Sequence, residues 1–164
     1  MKQTNAINNK VYKLSSLVLA MNGWRLKGLK VSFTNGCFDI LHEGHIFSLS
    51  QAASEADILI VGVNSDASTK RLKGEERPVN NEQSRSLLLA SLAIVDAVVV
   101  FEEDTPLNLI TTLLPDVLVK GGDYSIEQIV GAKEVIANGG RVIINPIVQG
   151  FSTTGIIEKI RRLG

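Results

Sequence analysis

The order and character of the apolar segments predict an α/β fold, a three-layer sandwich in which helices cover both faces of a five-stranded parallel sheet. Two observations carry this. Five short runs rich in β-branched residues recur along the chain, and helical patterns separate them. Those runs are nearly continuous Val and Ile rather than alternating with polar residues, as expected of strands covered on both faces. The length agrees, since 164 residues with 45% hydrophobic content make one ordinary domain.

The elements follow in order. Residues 4–27 begin polar and continue with Leu14, Leu17, Val18, Met21 and Trp24, a spacing that fits one helical face. This N-terminal extension, residues 1–28, is expected to pack on the body or on a second subunit, because a lone helix of that length is marginal in water. The strands are read at Lys30–Thr34, Ile58–Asn64, Ala97–Phe101, Val117–Lys120 and Arg141–Asn145. Helices are read at Gly44–Ala53, Glu82–Ala93, Pro106–Leu114, Gly131–Asn138 and Thr154–Arg162. No internal repeat, low-complexity tract or long linker interrupts residues 29–164, the main domain. The pattern is Rossmann-like.

Composition narrows the function. The 17 basic and 17 acidic residues cancel, so no overall field draws the chain to nucleic acid or to an anionic membrane. The longest apolar stretches, such as Ile94–Phe101, fall far short of the ~20 residues of a membrane helix. One cysteine cannot form an internal disulfide, and the start of the sequence lacks a leader pattern, so a reducing cytoplasm is the expected location.

In open parallel sheets, ligands bind beyond the carboxyl ends of the strands, where strand order reverses. The segments that follow strands are Asn35–His45, Ser65–Arg77, Gly121–Tyr124 and Gln149–Thr154, and they are rich in Gly, His, Lys, Asp, Ser and Thr. The first reads NGCFDILHEGH and opens the next helix. Free amides and a partial positive charge at a helix start suit phosphate. His42 and His45, the only histidines, lie three residues apart and can face one anion. Gly44 leaves room between them. Zinc is disfavoured, because H-E-G-H is not the H-E-x-x-H pattern and no further histidine follows. Cys37 reads as a small buried side chain rather than a nucleophile. Walker A and G-x-G-x-x-G patterns are absent.

Other rim residues have two readings each. Lys70, Arg71, Lys73 and Arg77 fall within eight residues and can neutralise phosphate charge or simply form a solvated face. Lys73, beside Gly74, ranks first among them, and Arg71 can point outward. Gly121 and Gly122 would let a base or ribose approach the backbone, with Asp123 on hydroxyls, or would form only a turn. Ser152, Thr153 and Thr154 suit a helix N-cap, phosphate binding, or both. Asp39 either holds Mg²⁺ through water or fixes its loop by accepting backbone amides; loop-fixing is favoured.

The pattern of Gly36, Phe38, Asp39, His42, Gly44 and His45 resembles the signature of the cytidylyltransferase-like nucleotidyltransferases. Five further blocks agree in order: VNSDASTKRLKG (Val63–Gly74), RPVN (Arg77–Asn80), FEEDTP (Phe101–Pro106), LVKGGDY (Leu118–Tyr124) and STT (Ser152–Thr154). Within the family these blocks most resemble the adenylyltransferases of heptose 1-phosphate, which occur alone or fused behind a sugar kinase. The resemblance implies AMP transfer from ATP to a sugar 1-phosphate, with Mg²⁺ accompanying ATP and a homo-oligomer, a dimer, as the assembly. It implies catalysis by His42, His45 and Lys73. Nucleotide binding would fall to Asn35, Gly36, Cys37, Phe38, Asp39, Gly44, Gly121, Ser152, Thr153 and Thr154. Substrate binding would fall to Arg77, Arg85, Lys120 and Asp123; Arg85 matches an arginine common in the wider family and otherwise reads as a solvated charge. Residues that ligate metal directly are not indicated. The rival enzyme is a glycerol 3-phosphate cytidylyltransferase, which carries arginines where this chain has Ala93 and Ile147. A non-catalytic nucleotide-binding module is the rival outside enzymes, and intact His42, Gly44, His45 and Lys73 argue against it.

Overall fold

The structure, a computed structural model, describes residues 4–146, 148 and 150–163. Ile147, where the rival enzyme carries an arginine, and Gln149, first of its rim segment, lie outside the described residues. The elements run β1 (Val11–Tyr12), α1 (Leu14–Leu26), β2 (Val31–Gly36), α2 (Glu43–Ala53), β3 (Ile58–Asn64), α3 (Asp66–Lys73), α4 (Glu82–Ser91), β4 (Ala97–Phe101), α5 (Leu107–Leu113), β5 (Val117–Gly121), α6 (Ala132–Ala137), β6 (Arg141–Asn145) and α7 (Thr153–Leu163). The strands form one parallel sheet in the order β1-β4-β3-β2-β5-β6.

The expected α/β sandwich is present with six strands rather than five. The extra strand is two residues long, pairing Val11 with Val98 and Tyr12 with Val99 at the sheet edge. So short a strand has no period to read. It is held from outside itself: Lys10 Nζ donates to the carbonyls of Val95 at 2.6 Å and Leu92 at 3.3 Å. The helix read over residues 4–27 therefore begins only at Leu14, and its face buries Leu17 and Met21 in the core.

A second difference is α3, which lies inside the stretch read as a loop, Ser65–Arg77. This helix has no apolar stripe; its buried residues are Ser68 and Thr69. Its ends stabilise it instead. Ser65 Oγ accepts the Ser68 amide at 3.1 Å, Asp66 sits in the first turn, and Lys70, Arg71 and Lys73 sit in the last.

The core explains the unbroken Val and Ile of the strands. Ile60 faces one side of β3 with Leu17, Met21, Phe33, Leu109 and Val135, while Leu59 and Val61 face the other with Leu49, Leu89 and Val119. Both faces are dry, so neither set of alternate positions is polar. Among the described residues, no helix is long and apolar enough to cross a membrane.

The sheet also creates the crevice. Strand β2 pairs with β3 as far as Gly36 opposite Val63, but with β5 only at Ser32–Val117 and Phe33–Leu118. Beyond that point β5 continues along β6 to Gly121. The carboxyl ends of β2 and β5 thus part where strand order reverses.

Candidate active site

The crevice between β2 and β5 opens into a cavity of about 510 Å³. Its walls come from the rim segments: Gly36, Cys37, Phe38, Asp39, His42 and His45 after β2, Asn64 ending β3, Lys73 and Arg77 around α3, Lys120 on β5, and Phe151 to Thr154 before and at the start of α7. Lys120 Nζ donates to Asn35 Oδ1 at 3.4 Å and so reaches across the parted strand ends. Burial lowers the pKa of Lys120, and nearby Lys73 adds to the effect while Cys37 opposes it.

His42 is the N-cap of α2 in extended conformation, and its side chain makes no capping bond. The two imidazoles stack with centroids 3.8 Å apart and an interplanar angle of 23°. Phe38 packs at 5.3 Å from the His45 ring, and Phe151 at 6.4 Å from His42. Gly44 keeps this packing close, since a Cβ would come within 3.2 Å of the His42 ring and of Phe151 Cβ and would push these side chains aside by a few tenths of an ångström. Each Nδ1 is buried without a hydrogen-bond partner among the described residues.

Burial holds both imidazoles below their ordinary pKa; for His45, burial first and the His42 charge second bring it from 6.5 to about 4. Near neutral pH the pair is uncharged, able to donate one N–H per ring to an anion. The same shift has a stability consequence. A histidine with a depressed native pKa binds fewer protons folded than unfolded, so its contribution is intact above pH 6.5 and is lost as pH falls towards about 4. Thermal melting of the wild type should therefore drop across that window more steeply than that of His45→Gln, and parallel melting curves would refute the shift.

Asp39 fixes the loop. Its buried carboxylate accepts the amides of Val79 and Asn80 at 2.8–2.9 Å and Arg77 Nε at 2.6 Å, while Asn80 Nδ2 donates to the Asp39 carbonyl at 2.7 Å. Burial alone would raise its pKa, but these amides and the Arg77 guanidinium outweigh that and lower it. With both oxygens engaged, Asp39 has little capacity for a metal. The described residues contain no group of three or more His, Cys, Asp or Glu arranged to hold one.

The cations separate by partner. Lys70 pairs with Glu75, Arg71 with Asp104 and Arg77 with Asp39. Lys73 has no ion pair among the described residues and lines the cavity. Ser152 Oγ accepts the Gly155 amide at 2.9 Å, capping the first turn of α7, and Thr153 and Thr154 lie beside it on the cavity wall.

Three expected residues stand elsewhere. Arg85 is fully buried: Nε donates to the Asn80 carbonyl at 2.9 Å, Nη1 to the carbonyls of Cys37 at 2.5 Å and Asn64 at 2.8 Å, and Nη2 to Asp66 at 2.7 Å. It braces the loops behind the cavity and does not line it. Asp123 is exposed, and Gly121 pairs with Asn145 beside the crevice. Conversely, Asn64, Leu72 and Phe151 line the cavity without having been singled out. Asn64 closes a strand read correctly, so its place at the strand's carboxyl end was the available signal.

Comparison with known proteins agrees with this geometry. A sequence model of the family described as cytidylyltransferase-like matches residues 33–159. The protein named Bifunctional protein HldE in Nitrobacter winogradskyi is 59% identical over 139 residues, 85% of this chain and 28% of that protein. Its namesake in Rhodospirillum rubrum is 52% identical over 159 residues, 97% of this chain and 32% of that protein. The chain thus spans 28–32% of the length of these two relatives. The crystal structure of a lipopolysaccharide core biosynthesis protein from Thermoplasma volcanium superposes with a TM-score of 0.59 at 30% identity, over 74% of this chain and 98% of that one. A pantoate-beta-alanine ligase from Francisella tularensis, TM-score 0.62 at 17% identity over 92% of this chain and 76% of that one, shares the fold. With its signature residues gathered on one cavity at the switch point of the sheet, the chain belongs to the cytidylyltransferase-like family of nucleotidyltransferases.

Proposed function

We propose that this domain transfers AMP from ATP to a sugar 1-phosphate, D-glycero-β-D-manno-heptose 1-phosphate, giving ADP-heptose for lipopolysaccharide core synthesis. The observation that carries the reading is the stacked, uncharged histidine pair at the start of α2, set in one cavity with Lys73 and the α7 start. The similarity to HldE proteins over most of the chain supports the choice of substrates.

A sugar phosphate oxygen attacks the α-phosphorus of ATP, the bond from that phosphorus to the bridging oxygen breaks, and pyrophosphate leaves. No covalent enzyme intermediate is required. His42 and His45 donate to oxygens on which negative charge grows, and their fixed stacking means the donors need not reorganise as it does. Lys73 and the α7 start hold phosphates in line, since positioning and electrostatics dominate such transfers. Mg²⁺ would arrive on the nucleotide's phosphates, because the described residues provide no cage for it. There it would neutralise charge on the departing pyrophosphate.

Glycerol 3-phosphate cytidylyltransfer is the second reading, and Ala93 argues against it by supplying no cation where that enzyme carries arginine. A matrix of nucleoside triphosphates against phosphorylated acceptors, read by pyrophosphate release, separates the two. ATP with heptose 1-phosphate should be the fastest pair. Faster turnover of CTP with glycerol 3-phosphate would overturn the proposal.

A further inference from the structure

Beside the main cavity lies a second of about 210 Å³, between the segment that follows β4 and the turn that follows β5. The two share one lining residue among those described, Lys120. Ligand pockets usually measure ~300–1,000 Å³. The main cavity falls within that range and the side cavity below it, so the latter suits one ring rather than a nucleotide.

Its walls differ in chemistry. One is apolar, with the buried Ile129 and the half-exposed Tyr124 ring. Tyr124 is seated by Gly122, where φ is 139° and a Cβ would lie 2.4 Å from the ring. Polar groups complete the lining. Asp104 uses Oδ1 to accept from Arg71 Nε at 2.7 Å, and Oδ2 has no hydrogen bond among the described residues. Thr105 adds a hydroxyl beside it. Gln128 uses Oε1 to accept the Ser125 amide at 2.8 Å, which aligns the side chain and leaves its Nε2 as a donor. An aromatic ring and a carboxylate lining one small cavity match a sugar ring, which has a C–H face and a hydroxyl edge.

We propose that this side cavity is the specificity pocket for the acceptor's sugar ring, with Tyr124 beneath the ring and Asp104 on its hydroxyls, while the acceptor's phosphate lies at Lys120 facing the main cavity. This rests on the sugar 1-phosphate reading above and assigns the ring to Asp104 and Tyr124 rather than to Arg77 and Asp123. Arg77 is already engaged by Asp39, and Asp123 lines neither cavity.

The test is calorimetric titration of the whole chain with heptose 1-phosphate, with glycerol 3-phosphate as a ringless phosphate, and with ATP. Tyr124→Ala and Asp104→Ala should each weaken heptose 1-phosphate binding by about 10- to 100-fold, the usual cost of losing a charged hydrogen bond or a packed ring face. Binding of glycerol 3-phosphate and ATP should be unchanged, and Tyr124→Phe should behave as wild type. Unchanged sugar binding in both alanine variants, equal weakening of all three ligands, or no binding of heptose 1-phosphate by the wild type would overturn the pocket. Pyrophosphate release in the same samples separates the pocket from the reaction. Turnover with normal sugar affinity in the variants rejects the pocket alone. Variant-sensitive sugar binding without pyrophosphate release rejects the reaction alone.

Discussion

Replacing His42 or His45 by alanine is expected to lower kcat by about 10²- to 10³-fold, the usual cost of removing one preorganised donor from a developing negative charge. Two features of the pair give this expectation its size. The rings stack at 3.8 Å, so each fixes the orientation of the other, and Phe38 packs against the His45 ring at 5.3 Å. Burial also keeps both uncharged before the nucleotide enters, with His45 at about 4, so the enzyme does not hold two adjacent cations at rest. In the proposed reaction an arriving triphosphate would reverse that preference by supplying the anion that favours protonation. The loss should therefore appear in kcat more than in the KM for ATP. His45→Ala removes a buried, unpaired ring nitrogen and should not lower stability near neutral pH by much. Single-turnover rates and circular dichroism on both variants decide the matter: folded proteins with near-normal rates would reject the assignment.

Much of the candidate site was legible because its residues are local in sequence. His42, Gly44 and His45 lie in one turn, and the rule that ligands bind at the carboxyl ends of parallel strands placed that turn on the rim. Lys73 was also legible, as the last cation of its run. The sorting of the remaining cations was not. Arg71 and Arg77 differ only in which carboxylate the fold brings to them, Asp104 at 33 residues' separation and Asp39 at 38. Pairing over such distances leaves no trace in spacing. The helix α3 and strand β1 were missed for a related reason: one is held by its caps and the other by Lys10 and β4, and neither carries a hydrophobic period. Asp104 and Tyr124 belong to matched sequence blocks, yet their convergence on one cavity depends on strands β4 and β5 lying on opposite sides of β2 and β3.

Arg85 is where sequence reasoning and structure diverge most, and Arg85→Met should show it. From sequence the residue reads as a solvated charge or a substrate contact; in the fold its guanidinium is wholly buried and bonded to three backbone carbonyls and one carboxylate. Methionine fills similar space but donates nothing. The carbonyls of Cys37, Asn64 and Asn80 would be left without this donor, at ~1–2 kcal/mol each, so a loss of about 3–6 kcal/mol is expected. Asp66 adds little, because 41% of its side chain is exposed and water can replace the pair. In a domain of this size that loss corresponds to a melting decrease of roughly 10 °C. Activity should fall as well, but through the loops: Arg85 ties the carbonyl after β2 to the end of β3 and to the Asn80 turn that clamps Asp39. Arg85→Lys, with one compact ammonium, can keep only some of these bonds and should fall between methionine and wild type in melting temperature. The measurements are thermal melting and KM for each substrate, taken well below the variant's transition. A variant that melts like wild type yet shows a raised KM for a single substrate would return Arg85 to the binding surface; a large melting loss with both KM values shifted together identifies it as the brace of the rim.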